Sequence, residues 1–281
     1  MQPPPRYNVL GVGVSALTLS QARDQVIGVR GQRRRGYICL GTAAGLTAAR
    51  ADPALRKIFN ASWLTTPDGM PLVWLRPRGV GRVYGPDLML AACDAGRATG
   101  LTHYFLGGAP GVADALQQKL GTRFPGLAVV GTFTPPFRPL AAAELAALRA
   151  DVARTQPDVL WVGLGTPKQE YFMAEHARSL DAGVLIGVGA AFDFHSGRVR
   201  QAPRWIRRSG GEWLFRLCTE PRRLGANIAR GQYAVAAQRD WMRIRCVAER
   251  MQRIAAHVAA FRARTIRRMT NSTAKRPPAR A

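Results

Sequence analysis

Over the first two thirds of the chain, short and almost wholly apolar runs alternate with longer stretches whose apolar residues recur every three or four positions. The runs read as strands buried on both faces, the stretches between them as amphipathic helices. "YNVLGVGVSAL" reads as an opening strand, and "GYICL" as a second one, followed by a loop and a helix from about Thr42 to Asn60. "PDGMPLVWLRP" is a turn entering a short helix, and "GPDLMLAACDAGRATG" is a helix with Leu88, Ala91, Ala92 and Ala95 on one face. "LTHYFLGGAPGVADALQQKLGTRFPG" is a strand, a glycine loop and a helix, and "LAVVGTFTPPF" a strand with a proline-rich loop. A strong helix, "AAAELAALRADVARTQ", precedes the strand, loop and helix of "PDVLWVGLGTPKQEYFMAEHARSL". "AGVLIGVGAAFDFHSG" is a buried strand ending in a loop. Alternation of this kind predicts a parallel α/β sheet with helices on its faces.

After about residue 198 the pattern changes to basic helical sequence, with Trp205, Trp213 and Phe215 among arginines. From Tyr233 to Met269, Ile244, Val247, Met251, Ile254, Val258 and Phe261 recur at helical spacing beside more arginines, and "TNSTAKRPPARA" reads as a disordered tail. The expected organisation is therefore an α/β core over 1–198, a basic appendage over 199–232, an amphipathic basic helix over 233–269 and a tail over 270–281.

Charge sharpens that division. The net charge is +24, and residues 201–281 hold 19 Lys and Arg against 4 Asp and Glu, or +15 of it. A basic end of this size meets something anionic or keeps the protein soluble. A chain of 281 residues with 47% apolar content can bury a sizeable core. Its four cysteines, Cys39, Cys93, Cys218 and Cys246, lie far apart and form no C-x-x-C pair, which fits a reducing cytoplasm and argues against a zinc site. No apolar run approaches the length of a membrane span, and the first residues lack the charged start and apolar core of a signal peptide.

Candidate chemistry falls in the loops that follow the predicted strands, where parallel sheets bind ligands. Asp68, in "TTPDGMPLVW", is either a turn acid or a catalytic base at a strand–helix junction. Gly107 and Gly108 open a helix, so their N–H groups suit a phosphate, but a tight turn would need the same glycines. In "GLGTPKQEYF", Gly165 precedes a capping box of Thr166, Pro167 and Gln169. That reading leaves Lys168 unexplained, since a cation at a helix N-terminus opposes the dipole unless an anion binds there. Asp193 caps the turn after its strand or meets a ligand, and His195 reads as structural. No D-x-D occurs, so the usual carboxylate pair for a metal on a nucleotide-sugar diphosphate is missing, and arginines would have to neutralise such a group.

"TPDGMPLVW", "RVYGPDLM", "FLGGAPGVADAL", "FPGLAVVGTFTPPF", "PDVLWVGLGTPKQEYF", "GVGAAFDFHSGRVRQAPRW" and "GEWLFRLCTEPRRL" resemble, in order and spacing, the WecG/TagA/CpsF glycosyltransferases, glycosyltransferase family 26. The likeness runs from about Tyr7 to Leu224. It implies a Rossmann-like parallel sheet flanked by helices, with a basic helical C-terminal appendage that completes the active site. It also implies an inverting, metal-independent enzyme without a cofactor. Such an enzyme moves N-acetylmannosamine, its uronic acid or a related hexose or uronic acid from a UDP-sugar to a polyprenyl-diphosphate-linked sugar, at the cytoplasmic face of the membrane, in exopolysaccharide and cell-envelope synthesis.

Carried over position by position, the resemblance makes Asp68 the catalytic base and Gln169 the family's "PKQE" glutamine. Substrate contacts are expected at Thr42, Arg82, Asp87, Gly107, Gly108, Gly165, Lys168 and Asp193, and the appendage arginines map onto Arg216, Arg222 and Arg223. One departure stands out: the family's Thr-x-Asn after the second strand is Leu40-Gly41-Thr42 here, which puts its usual sugar contacts in question. The expected partners are the UDP-sugar, the polyprenyl-diphosphate acceptor, an anionic membrane surface under the basic end and a second copy of the chain. Two rival readings remain: a nucleotide-binding α/β protein without catalysis, and a basic nucleic-acid binder. The second has no familiar nucleic-acid motif behind it, so nucleic acid is not an expected partner.

Overall fold

A computed structural model describes residues 4–32, 36–75, 77, 79–209, 211, 212, 215 and 218. The described residues fall into two units, one running through Gln201 and one beginning at Ala202. In the first, a hairpin of β1 (Arg6–Val9) and β2 (Val12–Ser15) precedes α1 (Leu19–Ile27). Then come β3 (Gly36–Gly41), α2 (Ala43–Ala51), α3 (Pro53–Ala61), β4 (Leu64–Pro67), α4 (Met70–Leu75) and α5 (Gly85–Gly96). The remainder is β5 (Thr102–Gly107), α6 (Val112–Arg123), β6 (Ala128–Phe133), α7 (Ala142–Thr155), β7 (Val159–Gly163), α8 (Lys168–His176), β8 (Val184–Gly187) and α9 (Ala191–His195). The second unit holds α10 (Arg204–Ser209). Among the described residues no helix is long and apolar enough to cross a membrane.

Six strands form one sheet in the order β4-β3-β8-β7-β5-β6, and every pair is parallel. Parallel neighbours need a crossover, and a right-handed crossover sends each helix to one face or the other. Two buried clusters result. Ile38, Leu40, Leu64, Phe105, Trp161 and Ile186 face α1, α5, α6 and α9. Cys39, Tyr104, Leu106, Leu160, Val162 and Leu185 face α2, α3, α7, α8 and the hairpin. Successive strand residues alternate between the two, which is why the strands read as unbroken apolar runs. Burial raises two of the thiols, Cys39 well up and Cys93 to about 12.

The structure bears out the α/β class and corrects four local readings. The opening strand is a hairpin. Leu10 and Gly11 both have positive φ (55° and 85°), the turn that matches strand twist, and Asn8 Oδ1 accepts the Gly11 N–H at 3.0 Å. The helix expected from Thr42 to Asn60 is two helices, because Asp52 ends α2 and caps α3 through the N–H groups of Ala54 and Leu55, with Pro53 in the first turn. On α5 the buried face is Leu88, Met89, Ala92, Cys93 and Gly96, so Ala91 and Ala95 flank it. The segment after β8 continues as α9 rather than as a loop. The sequence reading also passed over α1, although Thr18 and Gln21 form a capping box at its start.

On β5, His103 is fully buried. Its Nδ1 accepts the Trp161 Nε1–H at 3.0 Å, and its Nε2 has no partner among the described residues. Burial, opposed by the charge of Asp158, lowers its pKa to about 4 from 6.5. The unfolded chain therefore takes up this proton first, so the contribution is complete above 6.5 and is lost as the pH falls towards 4. That gap corresponds to about 3 kcal/mol. His176 is also pushed down and titrates in the same direction, whereas buried Glu170, pushed up, opposes both. The low carboxylates, Glu144 at about 2 with Asp151 and Asp158, lose their contributions mainly below pH 4.5. Urea unfolding at pH 7 and pH 4.5 should show His103→Gln losing less stability over this interval than the wild type. An equal loss would assign the dependence elsewhere.

Candidate active site

The backbone N–H groups of Asp68 and Gly69 both point at the carbonyl of Gly41, at 3.1 and 3.4 Å, extending the β3–β4 ladder past the strand ends. Asp68 is thereby fixed at the carboxyl end of β4, only 7% exposed. Arg82 reaches back to it. Its Nε donates to the Asp68 carbonyl at 2.5 Å, a guanidinium nitrogen lies 3.7 Å from Oδ1, and Cζ stands 4.2 Å above the Tyr84 ring. Asp68 Oδ2 lies 3.4 Å from the N–H of Gly85, the first residue of α5. The carboxylate therefore faces a helix N-terminus that no side chain of Tyr84 caps, a position the dipole favours. Half-buried Asp87 lies in the first turn of the same helix.

The Leu40-Gly41-Thr42 departure lies beside this carboxylate. Leu40 is buried, and a Cβ on residue 85 would stand 2.2 Å from its Cδ1, 3.6 Å from the carbonyl of Val188 and 3.7 Å from Asp68 Oδ2. Thr42 is the N-cap of α2, its hydroxyl accepting the Gly45 N–H at 3.0 Å. A leucine methyl thus fills the space between β3 and the start of α5, and glycine at 85 is what that space admits.

Across the rim, Gly107 and Gly108 have φ of 133° and 78°. A Cβ on Gly107 would fall 2.7 Å from the Gly163 carbonyl, and the Gly108 N–H donates to that carbonyl at 3.2 Å. These glycines therefore serve the close approach of β5 and β7, and the Gly108 N–H is occupied. The capping box expected at Thr166 does not form: α8 begins at Lys168 behind Pro167, and the Thr166 hydroxyl donates to Glu170 Oε1 at 3.0 Å. Lys168 stands exposed at the first position of α8, beyond Gly165 with φ of 77°. Gln169 is buried, its carbonyl accepting the Gly189 N–H at 3.0 Å. Asp193 sits within α9 rather than capping its turn, and its carbonyl accepts from Val199 N–H and Ser196 Oγ. His195 Nε2 meets the Pro86 carbonyl at 2.9 Å, tying α9 to the start of α5 in keeping with a structural role.

One continuous rim thus gathers Asp68, Arg82, Asp87, Thr42, Gly165, Lys168, Gln169 and Asp193 from the ends of β4, β3, β7 and β8, with Gly107 and Gly108 next along at β5. Arg216, Arg222 and Arg223 lie outside the described residues. Sequence reasoning missed Glu170, although Met173 and Ala177, counted back by helical steps, place it on the buried face of α8. A cavity of about 370 Å³ lined by Gly36, Tyr37, Ala61, Ala174, Ala177 and Arg178 opens where β3 begins, at the opposite end of the sheet. Among the described residues no three His, Cys, Asp or Glu side chains converge as a metal site.

A parallel sheet carrying its polar and charged groups at the strands' carboxyl ends has the layout of an α/β enzyme. The chain belongs to the glycosyl transferase WecG/TagA/CpsF family, whose model matches residues 7–245. It is accordingly a glycosyltransferase of cell-surface polysaccharide synthesis.

The contact between Leu40 and Gly85 gives a stability test. Gly85→Ala forces a methyl into Leu40 and should cost about 1–3 kcal/mol in urea unfolding. Leu40→Ala in the same chain should relieve part of that, so the double variant is less destabilised than the sum of the singles. Additive losses would mean that the two residues do not press on one another.

Proposed function

We propose that this glycosyltransferase moves a sugar from a UDP-sugar to a polyprenyl-diphosphate-linked acceptor, with inversion and without a metal ion, and that Asp68 is its general base. The donor class is N-acetylmannosamine, its uronic acid or a related hexose or uronic acid. The observation that carries the reading is the seating of Asp68. Its backbone is pinned on Gly41, and its carboxylate lies between Arg82 and the N-terminus of α5, at the strand ends where α/β sheets take their ligands.

In the reaction, the acceptor hydroxyl gives its proton to the Asp68 carboxylate as its oxygen bonds to the anomeric carbon. The bond from that carbon to the UDP oxygen breaks on the opposite side, and its electron pair leaves with the diphosphate. Lys168 on the rim neutralises that leaving group, the task a metal held by D-x-D would otherwise perform, and the resemblance assigns the same task to Arg216, Arg222 and Arg223. Arg82 and Gly85 hold the base, while Thr42, Asp87, Gly107, Gly108, Gly165, Gln169 and Asp193 shape the substrate pocket. General-base assistance is worth about 10²–10⁴ in rate.

Incubation of a panel of UDP-sugars with a short-chain prenyl-diphosphate sugar, in EDTA, should give product from one donor. Asp68→Asn should keep the fold and lower kcat about 10²–10⁴-fold. Near-normal turnover by the folded variant would remove Asp68 from the role, and no product from any donor would favour nucleotide binding without catalysis.

The basic end, 233–269, adds a peripheral contact with an anionic membrane at the inner face, where each arginine near the surface contributes about 1 kcal/mol. Full-length protein should pellet with anionic liposomes, and a truncation after Gln232 should not. Equal pelleting would take this segment out of membrane binding.

A further inference from the structure

Glu170 has no part in the transfer chemistry above, yet its carboxyl group is completely buried at the start of α8. One oxygen, Oε1, accepts two hydrogen bonds, from Thr166 Oγ1 and from Gln169 Nε2, each at 3.0 Å. The other, Oε2, has no partner among the described residues. Burial raises the pKa of this group, and a proton on it would sit on Oε2, so Oε1 remains an acceptor in either protonation state.

That fixed acceptor has a consequence for Gln169. The two ends of a side-chain amide have nearly the same shape, so an amide takes its direction from its partners. Here both partners are specified. The carbonyl faces the N–H of Gly189 and the NH2 faces Glu170 Oε1, each at 3.0 Å. The amide also lies tight against the end of β8, where a Cβ on Gly187 would stand 3.0 Å from Gln169 Cδ and Nε2. Turning it over would set carbonyl against carboxyl oxygen and NH2 against N–H. One N–H of Gln169 remains after these contacts.

We propose that Glu170 is a positioning residue that fixes the direction of the Gln169 amide, so that Gln169 offers the bound nucleotide sugar a hydrogen-bond donor and no acceptor. This rests on the UDP-sugar reading above. The ligand group it fits is an accepting oxygen, either on the diphosphate or as a carbonyl or carboxylate on the sugar. Gln169 thereby joins the β7 and β8 exits, since it bonds Glu170, which also holds Thr166, on one side and Gly189 on the other.

The test uses the full-length protein, the side-chain amide resonances of Gln169, and calorimetric binding of two probes, UDP and UDP-N-acetylmannosamine. The wild type should show one slowly exchanging glutamine NH2 pair that Gln169→Met removes. Glu170→Gln keeps an accepting oxygen and should keep both the slow pair and the affinity within about twofold. Glu170→Met should lose the slow pair and weaken binding about tenfold, the scale of one lost hydrogen bond. Weakening for both probes places the accepting oxygen on the diphosphate, and weakening for the UDP-sugar alone places it on the sugar. Gln169→Glu, which keeps the shape and lacks the N–H, should weaken binding equally and covers the case in which Glu170→Met does not fold. Unchanged exchange and affinity in Glu170→Met, a Glu170→Gln that fails like Glu170→Met, or full affinity in Gln169→Glu would each overturn the proposal. A wild type that binds neither probe while Glu170→Met still loses the slow pair would overturn the UDP-sugar reading and leave the positioning role in place.

Discussion

The carbonyl of Gly41 is the point from which the rest of the site is built. Parallel pairing of β3 with β4 runs out at Gly41 and Pro67, and the next two N–H groups of the chain, on Asp68 and Gly69, both turn onto that one carbonyl. An acid that would otherwise cap an ordinary surface turn is thereby buried at a strand end. The chain then returns 14 residues later with Arg82 and 17 residues later with Gly85 to meet the same residue. A parallel sheet makes such gathering unavoidable, because each crossover brings the next strand's exit to the same edge.

Shape decides what the gathered loops can hold. Several glycines stand where a side chain would collide, among them Gly85 against Leu40, Gly107 against Gly163, and Gly187 against Met173 and the Gln169 amide. The first sets a leucine beside the Asp68 carboxylate. The wall beside that carboxylate is therefore apolar.

Two carboxyl groups near the rim meet opposite surroundings. Asp68 faces a guanidinium and a helix N-terminus, surroundings that favour a negative charge. Glu170 is sealed within the protein with one oxygen saturated and the other unpartnered, and its surroundings favour the protonated form. The roles proposed for them, a base and a positioning residue, rest on that difference.

Much of this was legible in the residues themselves. Unbroken apolar runs such as "VLWVG" could only be strands covered on both faces, and strands of that kind separated by helices form a parallel sheet. The exits of those strands marked Asp68, Gly107, Lys168, Gln169 and Asp193 as candidates. Local signals also present were passed over: the Asn8–Gly11 turn, the Asp52-Pro53 break and the Thr18-Gln21 box all act within four residues. What tertiary structure alone decided depends on neighbours far apart in sequence. The order β4-β3-β8-β7-β5-β6 sets Val188 beside the start of α5 and Gly108 on the Gly163 carbonyl. Whether Thr166 caps its helix or serves Glu170 depends on how deeply α8 packs against the sheet. The sequence by itself thus determined which residues stand at strand ends, since that follows from local period and turn chemistry. The structure decided which of them share hydrogen bonds, since that follows from strand order and burial, which no local pattern encodes.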